Sequence, residues 1–427
     1  MKSCPKGGMK MKRKTIFAAA LAMAAAAFAA SPEIADVEVS QDPSTRLVTV
    51  KYTLSGAAAV VTAEISVGGE RMKNLQLAAL YGDVNRRVPE GAERKTIFWM
   101  PDGLGSTADS LSVELTAWSV HNPPDYMMFN CMMTNATVRY YAASDQIPFE
   151  GGISNELCKT EYLLLRKIPA RGIQWRMGHS TGTGDKALHW VTLSSNYYIA
   201  VYDMTAQQAK YLGFSQSWDS TFIDGYSGDA RLPVSGVSPA DLRGATGATW
   251  RGWPQEGHDV LPGSQIWKFR GATPIELDLP TSAQWEFAAR AGSGGLYPDG
   301  TDTTSEEVLG RYAWYDGNAS PAGTVHQVGM KDANAWGLFD VLGNVFNYCL
   351  DWFDPSTTAT DATDPEGPDN SGGTLSARTV RGFSSWNNVS QVTLFNSSGL
   401  NDGRSYRLCA PCYAPGEGTD GEEGAAP

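Results

Sequence analysis

Residues 334–353 read NAWGLFDVLGNVFNYCLDWF and set the terms for the rest of the chain. Trp336, Leu338, Phe339, Val341, Leu342, Val345, Phe346, Tyr348, Leu350, Trp352 and Phe353 crowd into one short run. The apolar positions follow neither a period of 3.6 nor one of 2, which excludes a single amphipathic helix and a half-buried strand. Gly343-Asn344 predicts a tight turn between two apolar arms. A stretch this aromatic and this sharply bent belongs in the middle of a core.

GLFDVLGNVFNYCLDWF resembles the GLYDMxGNVWEWxxDW signature of the sulfatase-modifying-factor family, which includes the formylglycine-generating enzymes. Further segments fit in the same order: YYIAVYDMTAQQAKYL at 197–212, Pro233-Val234, LPTSAQWEFAARAG at 279–292, VRGFSSW at 380–386 and Tyr406-Arg407-Leu408-Cys409. The likeness runs from about Leu163 to Cys409. It implies an α+β domain similar to a C-type lectin, loop-rich and poor in regular structure, over residues 163–413.

Upstream, residues 32–119 read as an all-β unit. Val37/Val39, Val48/Val50/Tyr52/Leu54, Val61/Ala63/Ile65/Val67 and Leu111/Val113/Leu115/Ala117 alternate with period 2. Gly56, Gly68-Gly69, Gly82-Asp83 and Pro101-Asp102-Gly103 punctuate them. The pattern predicts a sandwich of immunoglobulin or fibronectin type III character without a catalytic constellation, a spacer or adhesion module. His121-Asn122-Pro123-Pro124 reads as a linker, and residues 120–162 as an extended approach that adds edge strands. Tyr162 to Ile168 reads as a buried strand. Thr205 with Gln208, and Thr281 with Gln284, have the spacing of capping boxes and start two helices. Trp285, Ala288 and Ala289 face inward on the second. Residues 354–375 form a long polar loop, and the acidic tail at 414–427 lacks the apolar side chains needed for a core.

Residues 1–29 read as an export signal: Lys12, Arg13 and Lys14, then an alanine-rich run from Ile16 to Phe28, then Ala27-Phe28-Ala29 as a cleavage site. The run is too short to span a membrane as a helix. Removing the leader takes away six positive charges and no negative ones, so the net charge falls from -12 to -18. An exported chain this acidic is a poor partner for nucleic acid or an anionic membrane surface. Five cysteines remain: Cys131, Cys158, Cys349, Cys409 and Cys412. Export permits disulfides. The expected pairings are Cys349 with Cys409 or Cys412, and Cys131 with Cys158, with one thiol left over.

The resemblance also implies chemistry. Formylglycine-generating enzymes hold copper(I) with two cysteines shortly after an RGGS segment and oxidise a sulfatase cysteine with dioxygen. The matching segment here is Arg381-Gly382-Phe383-Ser384-Ser385-Trp386-Asn387-Asn388, and no cysteine lies between Cys349 and Cys409. A soft copper ion needs thiolates, so copper is not expected. Cys409-Ala410-Pro411-Cys412 falls on the closing strand, where disulfides are the simpler reading. The family's calcium site maps onto the Asp340 side chain, the Gly343 and Val345 carbonyls and the Asn347 side chain, hard oxygens of the kind Ca2+ takes. The five histidines are scattered and suggest no iron site, and no GxSxG, P-loop or dinucleotide fingerprint is present in a fitting context. The expectation is a secreted, non-catalytic module binding an extracellular peptide or glycan, with Ser385, Trp386 and Asn387 by the groove. The alternative is a divergent formylglycine-generating oxidase.

Overall fold

A computed structural model describes residues 31–101, 110–133, 136–213, 229–244, 260–273, 275–321, 323–370, 375–400 and 404–412. The expected leader and acidic tail lie outside these residues.

The described residues open with eight strands: β1 (Glu33–Gln41), β2 (Val48–Ser55), β3 (Ala59–Val67), β4 (Glu70–Arg71), β5 (Leu80–Gly82), β6 (Arg86–Val88), β7 (Gly91–Trp99) and β8 (Leu111–Ser119). One antiparallel sheet has the order β1-β2-β7-β5, and in the other β3 pairs with β4, β6 and β8. Period-two patterning is the cause. Val48, Val50, Tyr52 and Leu54 of β2 face Ala59, Val61, Ala63 and Ile65 of β3 across one apolar core. The buried rings of that core place their polar ends on backbone carbonyls: Tyr52 donates to Asp83 O and Trp99 Nε1 to Gln76 O. β1 departs from the expected pattern, because Val37 and Val39 are exposed. β1 is an edge strand with a register shift between Ala35 and Glu38.

From Tyr126 onward helices and strands mix, an α+β arrangement. In chain order they are β9 (Tyr126–Asn130), β10 (Arg139–Tyr141), α1 (Leu157–Thr160), β11 (Tyr162–Ile168), β12 (Ile173–Met177), β13 (His189–Leu193), β14 (Tyr197–Ala200), α2 (Ala206–Tyr211), α3 (Pro239–Arg243), α4 (Gln265–Ala272), α5 (Ser282–Arg290), α6 (Glu306–Tyr312), β15 (Asn347–Trp352), β16 (Ala362–Thr363), β17 (Arg378–Arg381), β18 (Ser398–Leu400) and β19 (Cys409–Pro411). The main sheet runs β10-β9-β11-β14-β19, with smaller sheets β12-β13-β16 and β15-β17-β18. Residues 120–162 supply the edge strand β10, as the sequence suggested, and also β9, which is an interior strand of the main sheet. Its side chains are buried on both faces: Met127 and Phe129 enter one core, Tyr126 and Met128 another. The N-terminal sheets touch this unit through Tyr140 N on Asn85 O at 2.9 Å and Arg71 on Asp145 at 2.6 Å.

Both expected capping boxes form. Thr205 and Gln208 exchange bonds at the start of α2, and Thr281 and Gln284 at the start of α5. Burial of α5 goes beyond the expected face, since all nine of its residues are buried, Glu286 and Arg290 included. Among the described residues no helix is long and apolar enough to cross a membrane.

The expected disulfides are corrected by the structure: the five described cysteines are buried and unbonded. Cys131 packs in the core on one face of the main sheet and Cys158 in the core on the other. Cys349 and Cys412 are likewise in different cores, while Cys349 and Cys409 share one without bonding. Cys409 and Cys412 face opposite cores, which excludes a chelating pair.

Candidate functional site

The turn predicted at Gly343-Asn344 lies where three loops meet. Gly343 has φ +72°, and a Cβ there would collide with the Trp314 carbonyl and come within 2.9 Å of the Ala313 side chain. Asn344, also left-handed, holds two loops at once. Its amide donates to Trp314 O, its Oδ1 accepts from His326 N at 2.9 Å and its Nδ2 donates to His326 O at 3.0 Å.

Beneath the turn lies a buried polar cluster that the sequence reading did not assign. Arg407 is fully buried. Its guanidinium donates to the carbonyls of Ala200, Val201, Phe339 and Asp340 and pairs with Asp203 at 2.8 Å. Burial pushes the Asp203 carboxyl up to about 7, against the pull of Arg407, and pushes Asp340 up to about 6. Asp340 Oδ2 accepts from Gly329 N at 2.6 Å, whereas its Oδ1 and Asp203 Oδ2 have no hydrogen-bond partner. A charged residue inside an otherwise apolar run, as in VYDM and YRLC, was the available signal for this cluster.

One of the expected calcium ligands is already engaged. Asn347 turns its oxygen toward two donors, Trp285 Nε1 at 3.0 Å and Arg407 Nε at 3.4 Å, and its nitrogen toward Asp203 at 3.0 Å. Only oxygens can ligate Ca2+ here, and this one already accepts from a guanidinium. Asp340 and Asn347 are thus gathered around a cation that the chain itself supplies. Gly343 and Val345 belong to the same turn, which Asn344 ties to His326.

A second buried cluster fixes the strand that leads to the groove. Glu286 accepts from Gly178 N and Arg290 through Oε1 and from Arg381 through Oε2 at 2.8 Å. Burial alone would raise its pKa, but the two guanidiniums outweigh it and hold the carboxyl below its usual range. Arg381 also donates to Ser282 Oγ and Phe395 O. Two residues on, Phe383 stands where the family's second glycine stands, and it keeps a left-handed φ of +64°. Its ring is buried against Phe346 at 5.3 Å.

The expected groove residues have three different fates. Ser385 is 0% exposed, its backbone bonded to Asn344 O and Gly323 N, and its Oγ has no partner. Asn387 turns its oxygen inward to Ser384 N and Oγ, so it holds the loop. Trp386 projects, 61% exposed, with Gly323 so close to its ring that any side chain there would collide. Beside it Trp314 stacks on His326 at 3.7 Å, and the Lys331 ammonium lies 3.9 Å over the Trp314 ring. Burial lowers the pKa of both His326 and Lys331. The face thus offers an exposed indole and a stacked indole–imidazole pair whose imidazole leans neutral. Among the described residues the cysteines are all buried away in cores: Cys131, Cys158 and Cys412 are pushed up to about 12 by burial, and Cys349 and Cys409 well above the usual thiol range.

Residues 169–405, more than half the chain, match the sulfatase-modifying factor enzyme 1-like domain. The formylglycine-generating enzyme of Streptomyces coelicolor is 37% identical over 114 residues, which cover 25% of this chain and 35% of that enzyme. The one from Thermomonospora curvata is 35% identical over 118 residues, 25% of this chain and 37% of that enzyme. A serine/threonine-protein kinase, Pkn1 of Chlamydia trachomatis, is 24% identical over 218 residues, 51% of this chain and 33% of that protein. The chain spans about a third of the length of these curated relatives. Among solved structures, Treponema denticola variable protein 1 aligns with a TM-score of 0.44 at 22% identity, over 58% of this chain and 95% of that one. The chain belongs to the family of the sulfatase-modifying factor enzyme 1-like domain.

Proposed function

We propose that this chain is a non-catalytic member of its family, an exported binding module that presents the Trp386 face to an extracellular peptide or glycan. The observation that carries this reading is the position of the cysteines. All five described are sealed in apolar cores, and burial holds their thiols protonated. Copper(I) needs thiolate ligands, and the segment that resembles the family's copper-binding stretch carries Ser384, Ser385, Trp386 and Asn387 where the thiols would stand. An exposed indole beside a stacked aromatic pair suits the flat face of a sugar ring or a peptide side chain. The N-terminal two-sheet unit, with the strand pattern of an immunoglobulin or fibronectin module, serves in this reading as the spacer that carries the lectin-like domain.

The likeness to formylglycine-generating enzymes supports a second reading, a divergent oxidase that converts a sulfatase cysteine to formylglycine. One experiment separates the two. The purified chain, loaded with copper(I) under air, is given a Cys-x-Pro-x-Arg peptide, and aldehyde is sought by mass spectrometry. The binding-module reading expects none, and aldehyde overturns it. A panel of oligosaccharides and peptides screened against wild type and Trp386→Ala tests the positive half of the proposal. Trp386→Ala is expected to abolish the strongest hit without moving the melting temperature, because the ring is mostly in solvent. A hit that survives the substitution places the binding surface elsewhere.

A further inference from the structure

A cavity of about 310 Å3 lies between the first turn of α5, the end of β15 and residues 354–368. None of its lining residues belongs to the Trp314, His326, Ser385 and Trp386 group. Its outer wall is preformed. β16 pairs in parallel with β13, Ala359 N donates to Gly184 O at 3.0 Å, Trp190 N to Asp361 Oδ1 at 2.8 Å and Asp364 N to Thr192 O at 2.9 Å. A ligand would meet a cleft already built, at the small end of the roughly 300–1,000 Å3 typical of binding pockets.

The charge of the lining selects the ligand. Asp185, Asp351, Asp354 and Glu366 contribute four carboxyl groups. The lining cation, Arg381, is committed to Glu286 and Ser282. His189 uses Nδ1 on the Ala187 carbonyl at 2.7 Å, so that nitrogen carries the hydrogen and Nε2 is left as an acceptor in the neutral ring. Asp351 is 5% exposed. Its Oδ2 takes the Ser282 amide at 2.6 Å, and its Oδ1 lies toward Gly367, where a Cβ would come within 3.2 Å. The positive end of α5 would ordinarily favour an anion, but Asp351 already fills that role, and an incoming anion would meet its carboxylate. A metal ion fits no better, since no three ligating side chains converge among the described residues. Carboxylates dispersed around the cavity suit a cation whose hydrogen-bond donors are also spread out, and Phe353 gives apolar surface for its stem, beside a Trp352 ring that already carries the Arg378 guanidinium on one face at 3.4 Å.

We propose that this cavity binds an organic cation, a guanidinium or ammonium group on a short apolar stem, held by Asp185, Asp351 and Glu366. The site goes beyond the Trp386 reading and does not depend on it.

The test is calorimetry on the full chain with Nα-acetyl-arginine amide, Nα-acetyl-lysine amide and the uncharged Nα-acetyl-citrulline amide. At least one cationic probe is expected to bind about tenfold more tightly than citrulline, as charge-assisted hydrogen bonds require. The double variant Asp185→Asn, Glu366→Gln is expected to lose about tenfold in that affinity with an unchanged melting temperature, and Trp386→Ala to leave it intact. Equal affinity for the charged and neutral probes, no binding by either cation, or an unaffected double variant each overturns the proposal. Displacement of the cationic probe by stoichiometric calcium chloride also overturns it, because the site would then belong to a metal ion.

Discussion

The guanidinium of Arg407 lies 2.8 Å from the carboxylate of Asp203, and neither residue has any surface in solvent. The same guanidinium gathers carbonyls from the end of β14 and from Phe339-Asp340, so one side chain joins the main sheet to the aromatic turn. Removing one partner of a buried pair strands the other.

Arg407→Met is therefore expected to destabilise the α+β unit by about 3–5 kcal/mol. The melting temperature should fall by roughly 10 °C. Since Asn347 Oδ1 already accepts from Trp285 and Arg407, millimolar calcium or EDTA should leave the wild-type midpoint where it is. Differential scanning calorimetry with and without calcium checks both halves, and an upward shift in wild type on adding calcium contradicts the second.

The pH response follows from the same cluster. Asp203 is pushed up to about 7 and Asp340 up to about 6, in both cases chiefly by burial. Both lie above the unfolded carboxylate value of about 3.9. Their contribution to stability is complete below that value and is lost as the pH rises through 6 to 7. Glu286 works in the other direction, since its lowered pKa costs stability only in more acidic solution. Urea midpoints should fall between pH 5 and pH 8, and Asp203→Asn should flatten that slope. A wild-type midpoint that rises over this range rules the account out.

Phe383 sets packing against backbone strain. A left-handed φ costs a bulky residue about 1–2 kcal/mol, whereas deleting a buried Phe side chain costs about 3–5 kcal/mol. Phe383→Gly should therefore destabilise by about 2 kcal/mol in chemical denaturation despite relaxing the backbone. A more stable variant would mean that the contact with Phe346 contributes less than its burial implies.

The cysteines give a chemical readout. Treated with a thiol reagent, the folded chain from residue 31 onward should react slowly, and unfolding should release five thiols. Adding reductant should leave its melting temperature unchanged. Fewer than five reactive thiols after unfolding without reductant would reveal a disulfide.

Local signals in the sequence translated well. The Thr205 and Thr281 boxes, the alternation in β2 and β3 and the break at Gly343-Asn344 each depend on a few neighbouring residues, and each formed. Long-range relationships did not show. That Asn347 would face Trp285 and Arg407, residues 62 and 60 positions away, is settled by how β15 crosses α5 and the closing segment. Cys131 and Cys158 appeared suited to pairing until β9 and β11 placed them on opposite sides of one sheet. Likewise Asn387, an amide beside an exposed Trp, read as a ligand contact but holds its own loop through Ser384.

The stitching of residues 354–368 to β13 has an evolutionary corollary. The segment departs after β15 but is fastened to a strand of a different sheet, so its shape depends little on the turn and the charge clusters that keep the scaffold together. Such a piece behaves as a replaceable cassette. If the proposed cation site holds, changing the length or charge of this piece would retune the ligand while the frame beneath stays the same.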